Sequence, residues 1–507
     1  MTSAATASYY EASKEYVLTI INDDIAGSVK ITGKNTYGEK LTATASTSNP
    51  TAGCTYSYQW WYSTSSSATS GTNIGTNSRE LTLNNSNWVG KYIGVTVTAT
   101  KNNYNRDTFY DRTDTSNNTT ATVAKKAGYI TISPDSGTSK YGITSATFNV
   151  TDYHSGADLS ASTNKGSASV SGTTVTLSNI GSLANGTTIT VTVTAAATAT
   201  HTSASATYRH DIIPATMAGA VKITGKNTFD ETLTATPDMS RPTSGNTYKY
   251  QWWYSSDGSS KTNIGSKTTT NTLKLNNANW VGKYIGVTLT VENSNFETGT
   301  FEDKTDDSTN TTKLVEKADG SIILNKTSDT SKYETDSATF GVSSNHGGTL
   351  SASTKKGGSA SVSGTTVTLS DIDFITVGTV IEVTVTCAET TTHKEAFATY
   401  KHTKIRDDRV ITMNSTKEVT YPTAGTLSFS YTGADTTATV KSSDEGKAKA
   451  KMNDGSNSGT ITITPVNTGK TTLTLTVPAT TNYNSATKTC EVTVKPGTID
   501  GSVSVTG

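Results

Sequence analysis

The chain has 507 residues with 42 basic and 42 acidic side chains, a formal net charge of zero, and only 33% hydrophobic residues. No lysine or arginine run is long enough to track phosphates, no apolar stretch reaches the roughly 18 residues of a membrane span, and no secretory core follows Met1. Nucleic-acid binding and membrane insertion are therefore not expected of this segment.

The length exceeds one ordinary β-rich core. The 105 threonines fall among apolar residues in short alternating runs, which predicts several thin β-sandwiches and not a disordered chain. From the N-terminus, residues 1–25 read as the closing hairpin of a sandwich, because "ATASYYEASKEYVLTI" at 5–20 aligns with "ATATHTSASATYRHDI" at 197–212. Residues 26–126 (segment A) carry "VKIT", "KLTATA", "YSYQWWY", "ELTLNN", "YIGVTVTAT" and "TATVAK", period-2 strands bounded by Gly, Asn, Ser or Pro. Residues 127–217 (B) continue with "YITISP", "ATFNVT", "SASVSG", "TVTLSNI", "TITVTVTA" and "SATYRHDI".

A shift of 192 residues carries "VKITGKNT" at 29 onto 221 and "NWVGKYIGVT" at 87 onto 279, and also "GSASVSGTTVTLS" at 166 onto 358. Segments A′ (218–317) and B′ (318–405) thus repeat A and B. Residues 406–497 (C) end in "PATTNYNSATKTCEVTV", which parallels the opening hairpin, and "GSVSVTG" at the C-terminus resembles "GSVKITG" at 27–33. Residues 498–507 are accordingly expected to form the first strand of a following sandwich, making the chain a segment of a longer array. No helical periodicity interrupts the strands, and six or seven strands per hundred residues is the density of Greek-key sandwiches.

Four of the six tryptophans lie in "SYQWWYS" (57–63) and "KYQWWYS" (249–255). Successive strand residues take opposite faces, so the alternation predicts Trp60 and Trp252 inward and Trp61 and Trp253 outward. Val29, Ile31, Leu41, Leu83, Ile93, Val95 and Val97 are the expected surroundings of Trp60. An outward indole covers a neighbouring strand or offers a flat plane to a sugar, which makes Trp61 and Trp253, with Gln59 and Gln251, candidate ligand contacts. Trp88 and Trp280, before "VGKY", are expected to pack against the domain end, with ligand contact as the second reading.

The histidines are all duplicated at 192: His154 with His346, His201 with His393, His210 with His402. His201 aligns with Tyr9 and Tyr483, and His210 with Leu18 and Val492, so packing is expected and no metal is assigned. Cys54, Cys387 and Cys490 lie in different segments, which does not support a disulfide framework. Acid clusters near the proposed domain ends (Asp23 and Asp24, Asp111 and Asp114, Asp303 with Asp306 and Asp307, Asp407 and Asp408) lack the spacing of a calcium loop. Solvated turns are the first reading and calcium at junctions the second. No cofactor is otherwise expected. Neither H-E-x-x-H nor G-x-S-x-G occurs, and Gly469–Thr471 has Thr464 where a phosphate loop needs glycine, so no enzyme is expected. No asparagine recurs in the last strand to close a lysine crosslink.

The stretch "GEKLTATAS…YSYQWWYS…LTLNNSNWVGKYIGVTVTAT" resembles the bacterial immunoglobulin-like domains of surface proteins, and "GTITITPVNTGKTTLTLTVPATTNYNSATKTCEVTV" is similar to related modules. The resemblance implies an all-β fold of tandem immunoglobulin-like sandwiches in an elongated array. It also implies an extracellular stalk on a bacterial surface, some members of the family being on phage particles. Strands of six to ten residues span roughly 20 to 34 Å, so five such domains in line reach on the order of 150 to 200 Å. A non-enzymatic, monomeric spacer of an adhesin, with a host or cell-surface glycan or protein as partner, is the expected function. A carbohydrate-binding module and a virion or filament component, with the incomplete end strands pairing between subunits, are the alternatives.

Overall fold

A computed structural model describes residues 2–4, 6–8, 10, 12–454, 456–501 and 504. Tyr9, and residues 502, 503 and 505–507 of the expected last strand, lie outside these. Among the described residues there is no α-helix, only two 3₁₀ turns, Ser86–Trp88 and Ala278–Trp280. The chain divides into two compact units, one of residues 1–218, 241–247 and 291–299, the other of 219–240, 248–290 and 300–507.

The first unit holds two sheet pairs. In segment A, strands Ala26–Gly33, Lys40–Asn49 and Glu80–Thr82 form one sheet, and Asp107–Arg112, Tyr92–Thr100, Thr55–Ser63 and Thr72–Ile74 the other. In segment B, Ile130–Ile132, Ser145–Tyr153, Thr174–Ser178 and Ser167–Ser171 make one sheet, and Ser136–Lys140, Ala204–Ile213, Thr188–Ala195 and Leu159–Thr163 the other. Near the N-terminus Thr2 pairs with Ser13 and Ser3 with Ala12, the register of Thr194 with Ser205 and Ala195 with Ala204.

The second unit has the A pattern around Trp252 and the B pattern in strands from Ile322–Leu324 to Ala396–Ile405. It adds a third sheet pair, of two four-stranded sheets, between Ile411–Met413 and Ala486–Lys495.

Alternation sets what each strand buries. In Thr188–Ala195 the side chains of Ile189, Val191, Val193 and Ala195 are fully buried while the threonines between them face outward. Threonine suits those positions because its branched Cβ favours the strand and its hydroxyl keeps water.

Trp60 is fully buried among Val29, Ile31, Leu41, Leu83, Ile93, Val95 and Val97, and its Nε1–H donates to the Ser78 carbonyl at 2.8 Å. Trp61 points to the other face, yet it is not exposed. It keeps 1% of its surface and Trp253 keeps 2%, so of the two expected roles each outward ring takes that of covering a neighbouring strand, not of an open plane. The cause lies on the next strand. A Cβ on Gly94 would stand 2.1 Å from Trp61 Cζ2, and one on Gly286 would stand 2.1 Å from Trp253 Cζ2, so each ring lies directly on a glycine backbone. The Trp61 Nε1–H donates to Thr96 Oγ1 at 3.1 Å, and Gly71 of the following loop closes over Cε3.

Trp60→Ala is expected to destabilise its sandwich by about 3–5 kcal/mol. Gly94→Ala leaves the inner core unchanged but displaces the outer ring, at about 1–3 kcal/mol. Urea unfolding followed by tryptophan fluorescence measures both. Full retention of stability by Gly94→Ala would show that the Trp61 contact is loose.

Candidate functional site

The residues singled out as ligand contacts are held by the protein itself. Gln59 Nε2 donates to the Trp60 and Ile74 carbonyls at 2.9 and 3.2 Å, and Gln251 Nε2 to those of Trp252 and Ile264 at 2.9 and 3.3 Å. Trp88 and Trp280 are buried at 8% and 7% exposure in their 3₁₀ turns. Asn85 Oδ1 and Asn277 Oδ1 each accept a backbone N–H at 3.0 Å to start the turn.

The two copies differ in what covers the outer indole. Over Trp253 lies Lys261, its Nζ 5.1 Å from the ring centroid and 2.5 Å from Glu302 Oε2. Thr288 Oγ1 donates to Glu302 Oε1 at 2.8 Å, and the Lys261 bond holds the Glu302 carboxyl below its ordinary range. Trp253, Gly258, Lys261, Glu302, Asp303 and Lys304 line a shallow cavity of about 350 Å³. The Trp253 Nε1–H is buried without an acceptor, unlike its counterpart in Trp61.

The acid clusters are taken up by backbone N–H groups and neighbouring side chains. Asp111 Oδ2 accepts the Ile31 N–H and Asp303 Oδ2 the Ile223 N–H, both at 2.6 Å. Asp306 caps Ser308 and Thr309, and the Ser308 hydroxyl brings its carboxyl down to about 2. Asp23 is held by Asn49, Asp24 by Asn105 and Asp408 by Lys332.

A feature outside the predicted sites joins the start and end of three sandwiches. Strand Ser136–Lys140 pairs in parallel with Ala204–Ile213, Ser328–Lys332 with Ala396–Ile405, and Thr416–Thr420 with Ala486–Lys495. Buried imidazoles lock two of these. His210 Nε2 lies 2.9 Å from Ser139 Oγ and its Nδ1 3.1 Å from Tyr208 Oη; His402 repeats this with Ser331 at 2.8 Å and Tyr400 at 3.1 Å. Burial pushes both imidazoles below their ordinary pKa; Lys404 adds to the shift at His402, while the charge of Asp211 partly offsets it at His210 and that of Asp329 at His402. Serine and histidine have the reach of a nucleophile–base pair, but His210 is only 1% exposed and its second nitrogen meets a phenol, not a carboxylate.

The other histidine contacts also recur between the copies. His154 stacks on His201 at 5.2 Å and His346 on His393 at 5.4 Å, with Tyr37 and Phe229 edge-on to the second ring of each pair. His154 is fully buried between Tyr129 N–H and the Ala196 carbonyl. Burial, then the charges of His154 and Lys126, lowers the His201 pKa.

The fold is that of tandem immunoglobulin-like sandwiches. No family description matches the chain, and no curated protein matches it. Among solved structures it is similar to the N-terminal eight Ig domains of Down Syndrome Cell Adhesion Molecule at 12% identity and a TM-score of 0.20, covering 92% of this chain and 63% of that one. The ICAM-5 D1-D4 ectodomain fragment is similar at 8% identity and 0.25, covering 73% of this chain and 100% of that one. Three N-terminal domains of the bacteriophage RB49 Highly Immunogenic Outer Capsid protein match at 16% identity and 0.23, over 55% of this chain and 97% of that one.

A histidine whose folded pKa lies below the unfolded value of about 6.5 contributes nothing adverse above that pH. As pH falls through it, protons bind the unfolded state first and stability drops. Segments B and B′ are expected to melt at lower temperature at pH 5 than at pH 7.5, while C, which has Val492 in place of His210, changes less. Calorimetry on the whole chain, with His210→Val and His402→Val together abolishing most of the difference, measures this. An unchanged pH dependence in that variant would remove the imidazoles as its cause.

Proposed function

We propose that the chain is a non-enzymatic spacer segment of an extracellular surface protein, built to carry tension between an anchor and whatever it presents. The observation that carries this reading is the parallel pairing of first and last strands in three sandwiches. Pulling on the ends of such a sandwich loads a row of hydrogen bonds side by side, so they must break together and not one at a time. Among the described residues, segments A and A′ show no such row. Gly33 and Thr36 meet Asn118 and Ala124 through single bridges, and Gly225 and Thr228 meet Asn310 and Glu316 in the same way. A bacterial adhesin is the setting that the sequence resemblance implies.

Stretching the whole chain in a single-molecule instrument is expected to give five unfolding steps, each releasing about 300 Å of chain. Three should occur at high force and two at lower force. Five steps at one low force would contradict the load-bearing reading.

A second reading is favoured by the shallow cavity that Trp253, Lys261 and Glu302 help to line. That is the chemistry of a polar ring ligand such as a sugar. On a glycan array the chain would then bind in a manner lost in Glu302→Gln, a change at the surface that leaves the core intact. Equal binding by the variant, or none by either protein, rejects it.

A further inference from the structure

One ring contact occurs in two chemical versions. Tyr141 stands edge-on to Phe296 and Tyr333 to Tyr483, with centroids 5.6 Å apart in both pairs and planes at 68 and 72°. In each, a linker residue pairs in parallel with the second ring's residue, Ala215 with Phe296 and Asp407 with Tyr483. In the first version Gly142 follows the tyrosine and Phe296 has no hydroxyl. In the second Glu334 stands in the place of Gly142, 192 residues on, and the Tyr483 hydroxyl donates to its Oε1. Acceptor and donor thus arrive together at the contact between B′ and C.

Tyr483 is also fixed from within C. Its ring is 5% exposed and lies against the Arg409 guanidinium, 4.6 Å from the ring centroid. The Arg409 side chain is wholly buried, with Nη1 donating to the Thr432 and Gly433 carbonyls at 2.7 and 2.9 Å. Its Nη2 donates to the Asp435 carboxylate and to Thr480 Oγ1, the latter at 3.3 Å. A buried guanidinium is tolerated only with such partners. It also lies 5.7 Å from the ring of Tyr431, a core residue of C. An anion, a phenol and a cation therefore run without a break from a turn of B′ to the core of C. Burial, then the bond to Glu334, pushes the Tyr483 hydroxyl above its ordinary pKa, so it remains a donor.

The linker adds to this. Asp407 Oδ2 accepts the Glu334 N–H and Asn482 Oδ1 the Val377 N–H, both at 3.4 Å. Lys332 pairs with Asp408 at 2.6 Å, but both side chains are exposed and such a pair contributes little.

We infer that Glu334, Tyr483 and Arg409 couple B′ to C, so that each segment is more stable while the other is folded. Tyr483 is held in place by Arg409 and by the turn that Asp407 hooks, so Glu334 meets its phenol only where C is folded. The phenol meets its carboxylate only where B′ is folded. A coupling of this kind is reciprocal, the same free energy being lost whichever segment opens first. It holds whether or not the chain bears load.

Hydrogen exchange of the whole chain, resolved by mass spectrometry, tests this through the core strands Val380–Cys387 of B′ and Gly469–Val477 of C. Glu334→Ala is expected to speed exchange in both strands by a similar factor, about 3- to 10-fold, although it alters only B′. Tyr483→Phe keeps the ring on Arg409 and is expected to do the same, although it alters only C. The double variant should be no faster than either single one. Segment A, far along the chain from both changes, is the internal reference. Faster exchange confined to the altered segment, no change in either variant, or effects that add in the double variant overturns the coupling.

Discussion

The opposite placing of neighbouring side chains along a strand governs this molecule. With a third of its residues hydrophobic, the chain can fill a core only if nearly every apolar side chain in a strand turns inward. The row Ile93, Val95, Val97, Ala99 does so completely, while Gly94 and Thr96 are left to the outer face. Trp60 belongs to the first set and Trp61 to the second. Their different surroundings follow from a single residue's step along the backbone.

That constraint explains what the sequence makes legible. The inward ring and its neighbours could be named from period alone, because every partner obeys the same alternation. The burial of Trp61 could not. Its cover comes from a glycine on the adjacent strand and from a loop, and neither is written in the heptad that contains the indole. The repeat made duplication of the histidines visible, and the aliphatic residues at matching positions pointed to packing. The partner hydroxyl of Ser139, 71 residues away from His210, required the parallel pairing to be known first. Parallel contact between chain-distant strands leaves no local signature, since each strand alone reads the same whichever neighbour it joins.

The duplicated segments show how a common backbone tolerates different chemistry. Lys404 is fully buried where B has Ile212, with its Nζ donating to Ser331 Oγ and to the Thr335 carbonyl at 3.1 and 2.8 Å; burial lowers its pKa. Likewise the loop after the tryptophans covers one indole with chain and the other with a lysine. Identity of fold between copies therefore does not carry identity of surface, and any ligand would be expected to distinguish A from A′.

Pairing of opening and closing strands also bears on the order of events during synthesis. In B, Ser136 must find Arg209 and Lys140 must find Ile213, so the sheet is incomplete until almost the whole segment has left the ribosome. Contacts this distant in sequence form slowly. A nascent chain would thus display one unfinished sheet at a time, sealing each before the next is exposed, which limits mispairing between segments that share so much of their sequence.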